Sequence, residues 1–141
     1  MKIHSTNYLN TFIEIAVDSP ATVGEIPPLK SGTQTVANMQ FEMVFYNPNK
    51  FTSDDVFFQV YADRNNLTDN EYEEARLQFF SKGQPCFRAS PLTKRYGWGV
   101  HSKNDGKIAL YACESPEYKK WSNNKSLKVI KAMKRQRSNT S

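Results

Sequence analysis

The fold is decided by RYGWGVHSKNDGKIALYA, residues 95–112, in which two strand-like runs flank a tight turn. Asn104-Asp105-Gly106 supplies turn residues that are typical of a hairpin, and aromatic or β-branched residues occupy both flanks. One register gathers the apolar side chains on a single face. That register pairs Val100 with Leu110, Trp98 with Ala112 and Ser102 with Ile108. The sequence therefore predicts a β-hairpin with this pairing.

The opposite face of the first strand carries Arg95, Gly97, Gly99 and His101, because strand side chains alternate between faces. Two missing side chains between cationic or titratable neighbours predict a shallow trough floored by backbone. Glycine inside a strand often marks the close approach of a ligand or of another chain segment. A second interpretation stays open, in which Tyr111 or a helix packs over both glycines.

No carboxylate occurs between Glu74 and Asp105, an interval that carries six lysine or arginine side chains. Such a stretch favours an anionic ligand, because an arginine can hold a carboxylate or phosphate with two parallel hydrogen bonds. The alternative is pairing with the acidic residues that lie just upstream. The predicted anion-binding residues are Arg88, Ser90, Lys94, Arg95, Tyr96, Gly97, Trp98, Gly99 and His101.

Upstream of the hairpin, the near-alternation of Thr11–Val17 predicts a strand, and a proline-rich loop follows it. Helices are predicted over Thr35–Tyr46, where a strand stays open as an alternative, and over Asp69–Lys82 behind a Thr68–Glu71 capping box. Thr52–Tyr61 carries two conflicting signals. Its start resembles a helix capped by Ser53, and its end, VFFQVY, has strand propensity.

Three further elements are predicted. A short strand covers Pro85–Ala89, and a short helix starts at Ser115-Pro116. A basic helix follows, on which Leu127, Ile130 and Met133 form an apolar stripe and which frays from Gln136.

Positive charge is concentrated in the C-terminal part of the sequence. Residues 115–141 hold eight basic and one acidic side chain, a net charge of +7, whereas the other 114 residues hold 11 basic and 13 acidic ones.

The predicted fold class is α+β. We expect one compact domain over residues 1–118, with a small mixed or antiparallel sheet, two or three packed helices and a C-terminal β-hairpin. A basic tail at residues 119–141, helical or partly disordered, follows it.

Several function classes are disfavoured by composition. No apolar run reaches the roughly 20 residues that span a bilayer, and the start lacks the apolar stretch of a secretion signal, so we expect a cytoplasmic protein without a membrane partner. Cys86 and Cys113 are then expected to be reduced. Scattered cysteines and histidines do not match a zinc site, and we predict no metal and no cofactor. Familiar catalytic motifs do not occur, Cys86 and His101 form only a formal nucleophile–base pair, and enzymatic activity is left undecided.

Two other functions compete with the anion site. The basic tail predicts contact with a nucleic acid or an acidic partner, with Trp121 near the lysines for stacking. The nine phenylalanines, seven tyrosines and two tryptophans are numerous for a small core and favour an oligomerising module.

Three blocks resemble a family of small bacterial and fungal proteins known only as a domain of unknown function. They are NTFIEIA at Asn10–Ala16, FTSDDVFFQVYADRN at Phe51–Asn65 and FFSKGQPCFRASPLTKRYGWGVH at Phe79–His101. The similarity spans Thr6 to Tyr118 and leaves out the basic tail. It implies one compact cytoplasmic domain and carries over no catalytic residue.

Overall fold

A computed structural model describes residues 2–136, which form a four-stranded mixed sheet and five helices. The strands are β1 (Thr11–Glu14), β2 (Trp98–Ser102), β3 (Ile108–Ala112) and β4 (Lys128–Lys131). The helices are α1 (Val36–Phe45), α2 (Ser53–Arg64), α3 (Asp69–Phe79), α4 (Pro91–Lys94) and α5 (Pro116–Ser122), with a 3-10 turn at Phe87–Ala89. The predicted α+β class with a mixed sheet is confirmed. Within the described residues, none of the helices has the length and apolar character of a membrane span.

The strand order is β3-β2-β1-β4, which places β1 in the interior of the sheet. β1 pairs antiparallel with β2 and parallel with β4. β2 and β3 form the hairpin in the predicted register, with Val100 opposite Leu110. This hairpin is not the last element of the domain, since α5 and β4 follow it.

The sheet lies between two unequal layers. On one face, Ile13 and Val100 pack with Phe41 of α1 and Leu92 of α4 in the main core. On the other face, Phe12 meets Tyr118 of α5 edge to face, with ring centroids 5.0 Å apart. β2 is therefore buried along its whole length, and side chains on its two faces serve different layers.

The ambiguous segment after Thr52 is helix α2. The Thr52 hydroxyl accepts the amide of Asp55 at 3.1 Å and caps the helix, so the predicted cap Ser53 is wrong by one position. Asp54 and Asp55 stand in the first turn, where the helix dipole favours negative charge. These local signals, together with burial of α2 in two core clusters, outweigh the strand propensity of VFFQVY.

The chain after α3 differs from the prediction. α3 ends at Phe79 instead of Lys82, and Pro85–Ala89 is not a strand but leads into the 3-10 turn. The Thr93 hydroxyl donates to the carbonyl of Phe87 at 2.6 Å, and Ser90 caps α4 through the amide of Leu92 at 3.1 Å. Side-chain bonds of this kind stabilise a turn over a strand.

The helix predicted around Leu127–Met133 is wrong, because Lys128–Lys131 is a strand of the sheet. Lys128 N–H donates to the Asn10 carbonyl at 3.0 Å, and Ala132 N–H donates to the Glu14 carbonyl at 2.8 Å. The edge of β1 that β2 leaves free supplies backbone partners for this segment, which pairs with it in parallel. The predicted fraying beyond Gln136 lies outside the described residues.

Candidate functional site

The trough predicted over the two glycines is not open. A Cβ atom built on Gly99 would lie 2.6 Å from Phe12 Cζ and 2.7 Å from Tyr118 Cε2, so these rings occupy the place of the missing side chain. At Gly97, where φ is +80°, a Cβ atom would collide with the carbonyl oxygen of Val23. The alternative interpretation is correct at Gly99, because helix α5 packs over it.

His101 is buried on the same face. Its ring stacks on Trp121 with centroids 4.0 Å apart and an interplanar angle of 11°. Burial, reinforced by the Lys103 charge, lowers the pKa of His101, which favours the neutral imidazole. It lies under α5, whereas Cys86 contacts Tyr8, so the formal nucleophile–base pair is not assembled.

The other residues predicted to bind an anion are engaged separately. Arg88 Nε donates to the Lys131 carbonyl at 2.8 Å, and the Arg95 guanidinium lies 5.7 Å from the centre of the Tyr96 ring. Trp98 Nε1 donates to the Glu25 carbonyl at 2.8 Å. Lys94 is half-buried at the end of α4. None of the cavities described below brings these four side chains together.

Among the predicted residues, Ser90 lines one of the cavities formed by residues 2–136. A groove runs between α1, α2 and the loop before α4, and it consists of two cavities of about 270 and 360 Å³. We call their union the inner groove. Both cavities are lined by Val36, Gln40, Phe57 and Arg64. Their size lies near the lower end of small-molecule sites.

The polar centre of the inner groove is Gln40. Its side chain is only 2% exposed, and its Oε1 accepts the Ser90 hydroxyl at 2.7 Å. Ser90 Oγ in turn accepts the Leu92 amide, which orients the Ser90 proton toward Gln40. Within residues 2–136 the Gln40 Nε2 makes no hydrogen bond, although Gln40 lines both cavities. The fully buried side-chain atoms without a hydrogen-bond partner in the described residues are Trp121 Nε1 and Ser122 Oγ, so Gln40 Nε2 keeps access to the groove and can donate to a ligand there.

The inner groove is positively charged. Arg64, in the last turn of α2, lines both cavities, and no aspartate or glutamate lines either of them. Over the described residues the ion pairs are Arg76–Asp55 at 2.9 Å and Lys131–Glu14 at 3.3 Å, and Arg64 belongs to neither. Of the cations in the acid-free interval, Arg76 alone pairs with the upstream acids there.

Cys86 contributes a thiol to the same groove. Its Sγ lies 3.3 Å from the hydroxyl of Tyr8. Burial, together with this contact, raises the pKa of Tyr8 to about 12, so the phenol stays protonated near neutral pH and does not act as a base toward the thiol. Cys86 and Cys113 are free thiols, and the described residues hold no group of three or more potential metal ligands.

A family model matches residues 3–138 of the sequence, nearly the whole chain. The chain belongs to DUF6157, a family of unknown function. The match extends past Tyr118, so the basic segment lies inside the family region and not outside it. No curated protein and no solved structure matches the chain.

A further cavity of this DUF6157 domain, about 440 Å³, lies between the N-terminal segment and α3. Its buried carboxylate Asp54 accepts the amide of Thr6 at 2.7 Å and the hydroxyl of Ser5 at 2.8 Å. Its Arg76 is paired with Asp55. These groups already hold the fold together, so this cavity offers less to orient a ligand than the inner groove does.

Sequence reasoning missed Gln40 and Arg64. A signal for Gln40 exists, because it lies four residues after Val36 and four before Val44, on the apolar stripe of α1. A polar residue at such a position is buried and requires a partner. Arg64 carries no comparable signal, since a basic residue in the last turn of a helix is ordinary.

Proposed function

We propose that this DUF6157 domain binds a small organic anion in the inner groove. The observation that carries the proposal is Gln40, which is held by Ser90, lines both cavities of a groove without carboxylates and has no protein partner for its Nε2 within the described residues. An anionic acceptor in the groove would complete the hydrogen bonding of this amide.

Arg64 supplies the charge in this proposal. Its guanidinium can hold a carboxylate or a phosphate through two parallel hydrogen bonds, with Gln40 as a third donor. Val36, Phe57 and Val60 line the same space and favour a ligand with an apolar part. An organic acid therefore fits the groove better than an inorganic ion.

The proposal is tested by thermal shift with a panel of carboxylates and phosphates on the wild-type protein and two variants. A ligand at 100 times its dissociation constant adds about 2.7 kcal/mol to the stability of the folded state. Arg64→Gln should weaken the stabilising ligand about tenfold. Arg95→Gln, at an exposed arginine of the site predicted from sequence, is the matched control and should bind normally. Loss of binding in Arg95→Gln with full binding in Arg64→Gln would contradict the proposal.

The native thiols provide a second readout without mutation. Cys86 lines the groove, whereas Cys113 follows β3 and is also half-buried. Iodoacetamide labelling, followed by mass spectrometry, should slow at Cys86 when the ligand is present. Labelling of Cys113 should not change. Equal protection of both thiols would indicate general stabilisation and not occupancy of the groove.

A second candidate function uses the basic segment. Lys119, Lys120, Lys125 and Lys128 are exposed, and Glu117 is the single acid among residues 115–136. This arrangement supports contact with an acidic partner such as a nucleic acid. Trp121, stacked on His101, is engaged within the fold, which weakens the idea of base stacking. Four Lys→Gln substitutions at these positions should lower the salt dependence of binding in a gel-shift assay, whereas Lys30→Gln with Lys50→Gln should not.

We also propose that the domain works in the cytoplasm, where free thiols such as Cys86 and Cys113 persist. Mass spectrometry of the protein isolated under acid trapping should find both thiols unmodified.

A further inference from the structure

A third cavity adjoins the inner groove at the end of α3. It measures about 610 Å³ and is lined by Tyr61, Ala75, Gln78, Phe79, Lys82 and Gln84. We call it the outer lobe. It shares Tyr61 with one cavity of the inner groove, and Phe79 and Gln84 with the other. The three spaces therefore adjoin one another along the side of α2.

The boundary between the inner groove and the outer lobe has a defined structure. The rings of Tyr61 and Phe79 lie 4.9 Å apart and form an apolar floor. Gln84 Nε2 donates to the Phe79 carbonyl at 2.8 Å, which orients the amide and leaves its Oε1 as an acceptor. A ligand that crosses this boundary meets rings and one acceptor.

Each end of this row of cavities carries one cation. Arg64 lines the inner groove and Lys82 lines the outer lobe, and no carboxylate lines any of the three cavities. Glu71 and Glu74 line a separate neighbouring cavity, which shares Ala75 and Gln78 with the outer lobe. A ligand with one acidic group neutralises the positive charge at one end and leaves the charge at the other end without a counterion. A ligand with an acidic group at each end neutralises both.

We infer that the ligand of the groove is a dianion, with two acidic groups joined by a short apolar spacer. One acidic group lies at Arg64 and Gln40, the spacer lies on Tyr61 and Phe79, and the second acidic group lies at Lys82. This inference rests on the proposed function and adds the class of ligand. The second group is a carboxylate or a phosphate, since a lysine ammonium binds both.

The experiment compares diacids with monoacids of matched length. The probes are glutarate with pentanoate, adipate with hexanoate, and 3-phosphonopropionate with butyrate, titrated by calorimetry into wild type, Arg64→Gln, Lys82→Gln and the double variant. Lys125→Gln, at an exposed lysine outside the three cavities, is the control. Lys82→Gln should weaken the diacids about threefold or more and leave the monoacids unchanged. Arg64→Gln should weaken both kinds of acid.

The outcomes separate the two proposals. If Lys82→Gln leaves diacid affinity at the wild-type value, the dianion inference is wrong, and the anion site at Arg64 stands. If Arg64→Gln binds every acid as wild type does, the proposed function is wrong. Failure of every diacid to bind the wild-type protein overturns the dianion inference for this chemistry.

Discussion

A glycine within a strand, such as Gly99, can serve either of two roles: it can leave space for a ligand or allow another part of the chain to pack closely. The sequence indicates a gap on the strand face, and a gap can hold either a ligand or a neighbouring part of the chain. Phe12 and Tyr118 fill it here, so the glycine serves packing. The difference depends on where α5 lies, which is a tertiary fact that no local pattern contains.

Gly99→Ala is expected to destabilise the domain by about 1–3 kcal/mol, because the added methyl group would overlap two rings of a packed layer. The measurement is the free energy of unfolding in urea. Gly83→Ala is the matched control, since a Cβ atom at Gly83 meets nothing within 4 Å. A Gly99→Ala protein as stable as the control would show that this layer is loosely packed.

Local signals predicted some elements in detail and misjudged others. The hairpin was predictable to its register because its turn residues and the apolar alternation specify the same pairing. The Thr68–Glu71 capping box likewise marks the start of α3. β4 was not predictable, because four residues with lysine at both ends carry little pattern. Its partner β1 is also more than a hundred residues away in sequence.

Arg88 links the outer side of β4 to the loop before α4. Its Nε donates to the Lys131 carbonyl, and its own carbonyl accepts the Met133 amide at 2.8 Å. Arg88→Met keeps most of the aliphatic chain and removes the donors. We expect the free energy of unfolding to fall by about 1 kcal/mol.

Lys94→Met, a similar replacement in the neighbouring helix α4, is the comparison for Arg88→Met. Urea denaturation of both proteins, followed by circular dichroism, measures the difference. An equal loss in the two variants would mean that the Arg88 bond to β4 contributes nothing of its own.

The assembled domain has two tyrosines whose ionisation opposes folding. Burial raises the pKa of Tyr118 to about 12, and burial with the Cys86 contact raises that of Tyr8 to about 12, from an ordinary value of 10.0. Between pH 10 and pH 12 the unfolded chain loses phenolic protons that the folded chain retains. The contribution of these groups to stability is therefore complete below pH 10 and is lost as the pH rises toward 12.

Tyr118→Phe should flatten the fall of stability between pH 10 and pH 12, although it loses the bond that the Tyr118 hydroxyl accepts from the Ile15 amide at 2.9 Å. Urea denaturation at a series of alkaline pH values measures the slope. Tyr46→Phe, at an exposed tyrosine, is the control and should keep the wild-type slope. An unchanged slope in Tyr118→Phe would exclude this tyrosine as the source.

The fold class was accessible from sequence, but the candidate site was not. Composition and patterning indicate one α+β domain, because each helix and strand must bury an apolar face. The inner groove forms where α1, α2 and the loop before α4 meet, and its key residues come from positions 40, 64, 84 and 90. Only the chain path brings these positions together, and the basic stretch of sequence directed attention to a different face.

The interior strand β1 pairs with two strands that are held in the sheet by different kinds of chain connection. β2 belongs to a compact hairpin, whereas β4 is joined to β1 through the longest chain closure in the sheet. Local opening of β4 would break the bonds from the Lys128 and Ala132 amides without disturbing the hairpin. In deuterated buffer these two amides should therefore gain deuterium well before those of Val100 and His101, and the sheet would open from one side.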